Sequence, residues 1–155
     1  MRIHILVATM TGTAEMVAQE IELTYGDDDT EIIVTPMDSL GPEVFAGDEI
    51  YLICTSTYGQ GDVPDNGKAL YEALRTQRPD LCAVRYGIIG LGDNTYKDTF
   101  NFGGQKFDEI LAELGAQRIG ERARIDASGS ELPEDLALEW MPDWLELARA
   151  ASRSG

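Results

Sequence analysis

The sequence predicts a doubly wound α/β fold: a five-stranded parallel sheet in the order 2-1-3-4-5, with helices on both faces. Three observations lead there. Short apolar, β-branched runs recur along the chain without polar alternation, as strands buried on both faces require. Between them lie segments whose apolar residues fall at helical spacing. Strands that alternate with helices close through right-handed crossovers into a parallel sheet covered on both sides.

Residues 2–8 (RIHILVA) form the first apolar run. Ala14, Val17, Ala18, Ile21 and Tyr25 then line one helix face, which Gly26 and the turn at 27–29 bring to an end. Residues 31–35 (EIIVT) and 49–55 (EIYLICT) supply the second and third strands, and 65–76 the second helix. The fourth strand is 83–90 (AVRYGIIG). Within 102–114, Phe107, Ile110, Leu111 and Leu114 share one stripe, and Gly115 stands just past the end, where a C-cap glycine belongs. The last strand falls at 118–125 and the last helix at 134–150, entered through Pro133. Trp140 and Trp144, four apart on that helix, are expected to pack against the sheet. His4, inside the first strand, is expected to be structural.

With 155 residues and 43% hydrophobic content, the chain can bury one core, so residues 1–150 are expected to form a single domain and 151–155 a short tail. The opening MRIHILVA is too short for a secretory h-region and no later stretch reaches membrane-spanning length, which predicts a cytoplasmic protein. Twelve Lys and Arg against 28 Asp and Glu give 12 − 28 = −16. Such a field repels nucleic acid and anionic membranes and attracts basic protein patches, although charge alone reads most simply as solubility. Cys54 and Cys82 fall at the end of one strand and the start of its neighbour, so no disulfide is expected, and Cys54 reads as a small core residue.

Ligands of such sheets bind beyond the carboxyl ends of the strands where strand order reverses, here above the first and third strands. After the first strand comes Thr9-Met10-Thr11-Gly12-Thr13-Ala14-Glu15, three hydroxyls and several backbone N–H groups at a helix start. That is an anion cup. It contains no Lys or Arg, so a phosphate there is held by neutral donors and the helix dipole, which suits a terminal monophosphate. Neither the Walker ending nor the three spaced glycines of a dinucleotide fingerprint occurs at this loop. Taken singly, such a threonine cluster is more often a helix N-cap than a phosphate site. The third strand runs into Thr55-Ser56-Thr57-Tyr58-Gly59-Gln60-Gly61-Asp62-Val63-Pro64-Asp65-Asn66, and the fourth into Gly90-Leu91-Gly92-Asp93-Asn94-Thr95-Tyr96. Tyrosines on two loops beside an anion cup can sandwich a flat ring, each adding about 1 kcal/mol beyond its buried area, whereas a lone loop tyrosine is usually an ordinary surface aromatic. The glycines let backbone approach a ring edge.

Together TMTGTAE, STYGQGDVPDN and GLGDNTYKDTFN resemble the phosphate loop and the two ring loops of the flavodoxin family. The closest likeness is to the short stand-alone MioC-like flavodoxins and to the FMN domains of diflavin reductases, and it extends to LPEDLALEW at 132–140. The resemblance implies a flavodoxin-like fold, FMN as cofactor, and a one-electron carrier with no catalytic residue and no metal. Matched by position, Thr9, Thr11, Gly12, Thr13 and Ala14 hold the phosphate, with Met10 completing that loop. Thr55, Ser56, Thr57, Tyr58, Gly59 and Gly61 line the ring from the first ring loop; Leu91, Gly92, Asp93, Tyr96, Phe100 and Asn101 line it from the second. Tyr58 and Tyr96 cover opposite ring faces, and Gly59 faces flavin N5, where its peptide turns more freely than one bearing a side chain. Asp126 resembles an acidic residue near the cofactor of the diflavin domains. Thr13 stands where many flavodoxins carry Asn, and Tyr58 where MioC-like members carry another ring.

The segment 118–125 is too short for the fifth-strand insertion of long-chain flavodoxins, so this is a short-chain form. No FAD or NADPH domain is expected, so electrons are expected to come from another protein, a ferredoxin or flavodoxin reductase. The implied acceptor is a redox enzyme with a basic docking face, either a radical enzyme such as biotin synthase or a P-450-type monooxygenase. Asp62, Asp65, Asp93 and Asp98 flank the ring loops as docking candidates or as ordinary solvated charges, and the carrier is expected to be a monomer. The competing enzyme reading, an FMN-dependent NAD(P)H quinone or azo reductase, needs a nicotinamide pocket that Tyr58 and Tyr96 would obstruct. A receiver domain needs acidic residues after the first strand and at the third, where Ala8-Thr9-Met10 and Cys54-Thr55-Ser56 stand instead.

Overall fold

Runs of β-branched and aliphatic residues take the extended backbone where both of their faces can be covered. In the computed structural model, which describes residues 1–9, 12–47, 49–57, 63–92, 102–126 and 131–154, four such runs form β1 (Arg2–Ala8), β2 (Glu31–Pro36), β3 (Ile50–Ser56) and β4 (Arg85–Gly92). All four pair in parallel, in the order β2-β1-β3-β4, as the alternation of strands and helices predicts. Ala8 lies beside Thr55 and Ser56 beside Leu91, so β1, β3 and β4 finish at one level.

Alternate residues of each strand feed two cores. Ile3, Ile5 and Val7 face α1 (Thr13–Tyr25) and α4 (Pro133–Ser154), where Val17, Ile21 and Trp144 complete the packing. Leu6 and Ala8 face the opposite way, toward α2 (Asp65–Gln77) and α3 (Phe102–Glu113), with Leu70, Phe107 and Leu111. Trp144 is buried and stacks on Trp140 at 5.7 Å, which gives both the packing role expected of them. His4 is structural as well: Nδ1 lies 2.9 Å from Glu49 Oε2 and Nε2 2.7 Å from Thr35 Oγ1, linking β1 to β2 and to the entry of β3.

The fifth strand departs from expectation. It is two pieces, β5 (Gln117–Arg118) and β6 (Ala123–Asp126), each parallel to β4. Gly120 adopts φ +69° and breaks the extended run. Around the break, the indole N–H of Trp144 donates to the Ile119 carbonyl at 3.0 Å, and Arg118 donates to Asp108 of α3 at 2.5 Å. The Tyr86 hydroxyl donates to the other Asp108 oxygen at 2.6 Å. Two short 3-10 helices, Met37–Ser39 and Pro42–Ala46, fill the connection from β2 to β3, where no helix was expected. Gly115 takes the left-handed conformation past α3 (φ +100°) as predicted, but Gly26 ends α1 in extended backbone (φ −70°).

Cys54 is buried, its thiol donates to the Ala14 carbonyl at 3.4 Å, and burial pushes its pKa up to about 12. Cys82 is exposed, and both are free of disulfides. An aromatic disulfide reagent at about pH 8 should therefore titrate a single thiol in the native protein and both in denaturant. Reaction of both thiols at equal rates without denaturant would contradict the burial of Cys54. Among the described residues no helix is long and apolar enough to cross a membrane, and no group of His, Cys, Asp or Glu is arranged to hold a metal ion.

Candidate functional site

Where β1 ends, the chain must turn into α1, and the turn is made by Thr9 and Gly12. The N–H of Thr9 donates to Asn66 Oδ1 on α2 at 2.8 Å, while Thr9 Oγ1 accepts the N–H of Gly12 at 3.0 Å. Gly12 is the N-cap of α1 at φ +90°, a conformation that a side chain would strain, and no side chain caps the helix there. Among the described residues, a Cβ on Gly12 would meet nothing within 4 Å. The first intrahelical bond runs from Met16 N–H to the Gly12 carbonyl at 3.0 Å, so the amides ahead of it lie outside the ladder of α1. These donors and the helix dipole make the end of α1 attractive to an anion. Glu15 stands in the first turn, and its carboxylate accepts from Gln19 one turn along the helix at 3.5 Å.

At the end of β3, Thr55 is buried and its hydroxyl donates to the Ser56 carbonyl at 3.0 Å. Thr57 Oγ1 accepts the N–H of Gly103, at the start of α3, at 3.0 Å. A Cβ on Gly103 would overlap the Ser56 carbonyl oxygen, so glycine lets the tip of α3 press against the end of β3. Gly92 closes β4, and its register partner on β6 is Asp126, which puts that residue at the same end of the sheet. Asp65 lies exposed at the start of α2, with Lys68 at 3.2 Å.

Nine of the expected site residues thus meet around the carboxyl ends of β1, β3 and β4: Thr9, Gly12, Thr13, Ala14, Thr55, Ser56, Thr57, Leu91 and Gly92. Two of them, Ala14 and Leu91, point their side chains into the core, which leaves their backbones as the groups that can face a ligand. Met10, Thr11, Tyr58, Gly59, Gly61, Asp93, Tyr96, Phe100 and Asn101, with Asp62 and Asp98, lie outside the described residues. Sequence reasoning missed Asn66, Gly67 and Gly103. The glycines carry a legible signal, since glycine inside a helix costs about 1 kcal/mol relative to alanine and so marks a close approach. A Cβ on Gly67 would stand 2.8 Å from Ala8 Cβ. Asn66 carries no such signal.

The Flavodoxin family model matches residues 5–140. Protein MioC of Escherichia coli (strain K12) is 37% identical over 149 residues, covering 95% of this chain and 98% of that protein. Flavodoxin YqcA of Pectobacterium carotovorum subsp. carotovorum is 38% identical over 149 residues, covering 96% and 98% respectively. Among solved structures, a cysteine-to-alanine mutant of flavodoxin from Pseudomonas aeruginosa is similar at a TM-score of 0.83 and 36% identity, with 100% of both chains covered.

Proposed function

The chain belongs to the flavodoxin family of electron-transfer flavoproteins, and from that premise we propose that it binds FMN and carries single electrons between a reductase and an acceptor enzyme. The observation that carries the reading is the anion-competent end of α1, set level with the ends of β3 and β4 and built without a cationic side chain in residues 9–15. Neutral donors, with no described residue within 4 Å of where a Gly12 Cβ would stand, fit a monophosphate.

In this reading the amides of the α1 tip, with the hydroxyls of Thr9, Thr11 and Thr13, hold the phosphate. Tyr58 and Tyr96 pack on opposite faces of the ring and exclude water from it. Gly59 and Gly61 let the backbone reach the ring edge, and Asp93, Phe100 and Asn101 close the site from the second ring loop. Bound FMN supplies one-electron chemistry. The chain's charge of −16 raises the cost of adding negative charge at the site and so favours a strongly reducing carrier. Salt weakens the surface part of this effect, since screening acts over about 10 Å at 0.1 M.

Asp62, Asp65, Asp93 and Asp98 would meet a basic docking face on each partner. The donor is a ferredoxin or flavodoxin reductase, and the acceptor a radical enzyme such as biotin synthase or a P-450-type monooxygenase. The carrier works as a cytoplasmic monomer.

Titrating the apoprotein with FMN should quench flavin fluorescence to an endpoint of one FMN per chain, with riboflavin bound more weakly. Absence of quenching sinks the proposal, and fast oxidation of NADPH by the purified holoprotein would replace it with an enzyme reading.

A further inference from the structure

The segment 57–66 is tied at both ends to its neighbours. At its start Thr57 Oγ1 accepts from Gly103 at the tip of α3, and at its finish Asn66 Oδ1 accepts from Thr9 at 2.8 Å. The second tie continues as a relay, because Thr9 Oγ1 in turn accepts the N–H of Gly12, the N-cap of α1. Two hydrogen bonds therefore connect the first turn of α2 to the turn that aims the amides of α1.

We propose that Asn66 is a positioning residue for the cofactor phosphate, holding Thr9 and, through it, Gly12 and the α1 tip in the geometry that receives the anion. This inference rests on the FMN reading above. A backbone amide is only a donor, so the Asn66 oxygen must face Thr9, which fixes the orientation of the side-chain amide. The base of Asn66 is itself held: Gly67 N–H donates to the Pro64 carbonyl at 2.8 Å, and Val63 and Pro64 are buried beside it. Gly67 brings α2 against β1, where a Cβ would stand 2.8 Å from Ala8 Cβ, 3.1 Å from Val63 Cγ1 and 3.3 Å from Met37 Sδ. That approach sets the start of α2 beside the end of β1, where Asn66 meets Thr9. A donor array held in place before the anion arrives loses less entropy on binding it, which is how a side chain that need not touch the ligand raises its affinity.

The test compares FMN with riboflavin, which shares the ring but lacks the phosphate, on the full chain. Asn66→Ala should weaken FMN binding about three- to tenfold, the range for one net hydrogen bond, and leave riboflavin binding within about twofold. Thr57→Val, which cuts the tie on the ring side, should weaken both ligands alike. The ³¹P resonance of bound FMN should shift in Asn66→Ala and stay in place in Thr57→Val. If Asn66→Ala does not fold, Asn66→Gln, which keeps the amide but displaces its oxygen by one methylene, is read in the same way. Equal losses for the two ligands in the Asn66 variant, or no loss for FMN, overturn the proposal while the FMN reading survives. Failure of the parent protein to bind FMN overturns both.

Discussion

Replacing Trp144 with alanine should lower the unfolding free energy by about 3–5 kcal/mol, the range for emptying a fully buried aromatic site. Its ring is 1% exposed and lies against β4, where a Cβ on Gly87 would overlap the indole nitrogen and stand 2.6 Å from Cε2. No side chain on that strand position can move in to fill the space. The substitution also strips the Ile119 carbonyl of its donor at the point where the fifth strand breaks, a loss of about 1–3 kcal/mol if no water replaces it. Trp144→Phe helps to separate the two contributions, because it keeps a packed aromatic ring while losing the indole N–H and only part of the ring volume. That variant should fall between the parent and Trp144→Ala. Urea unfolding of the apoprotein reads both, and a shift below about 1 kcal/mol for the alanine variant would mean that the indole is not packed as described.

The second large effect is expected at Gly103. Alanine there puts a methyl group into the Ser56 carbonyl oxygen, with the Ser56 carbonyl carbon and Thr57 Oγ1 each 3.2 Å away. Two of these three atoms are backbone, so relief requires α3 to withdraw from β3, and the Gly103 to Thr57 hydrogen bond is lost with it. Overpacking of this kind costs about 1–3 kcal/mol, against which alanine returns about 1 kcal/mol of helix propensity. A net loss of stability is therefore expected, together with a fall of more than about tenfold in FMN affinity, because the tip of α3 and the end of β3 frame the site. A variant as stable as the parent, with unchanged FMN affinity, would show that α3 does not press on β3.

The parts of the fold that were legible depend on local pattern. The bounds of β1 coincide with the apolar run RIHILVA, and α1 follows the stripe from Ala14 to Tyr25. The fifth strand was not legible, since residues 118–125 read as a continuous run. Its break needs Gly120 at positive φ and a tryptophan 25 residues away to take up the Ile119 carbonyl. The turn from β1 into α1 was legible, because a threonine-rich loop with a glycine ahead of a helical stripe is a property of local sequence. Which residue caps α1 was not legible: the N-cap is Gly12, and the Thr9 hydroxyl accepts the Gly12 N–H.

The residues by themselves determined the parallel strand order and the two helical layers, because side-chain periodicity and crossover handedness act over short stretches of chain. Only the folded molecule decided which side chains join the loops. The bonds from Thr9 to Asn66 and from Gly103 to Thr57 span 57 and 46 residues, and no local preference of asparagine or threonine names a partner at that distance. Such contacts exist only once the sheet has brought its strand ends to one edge.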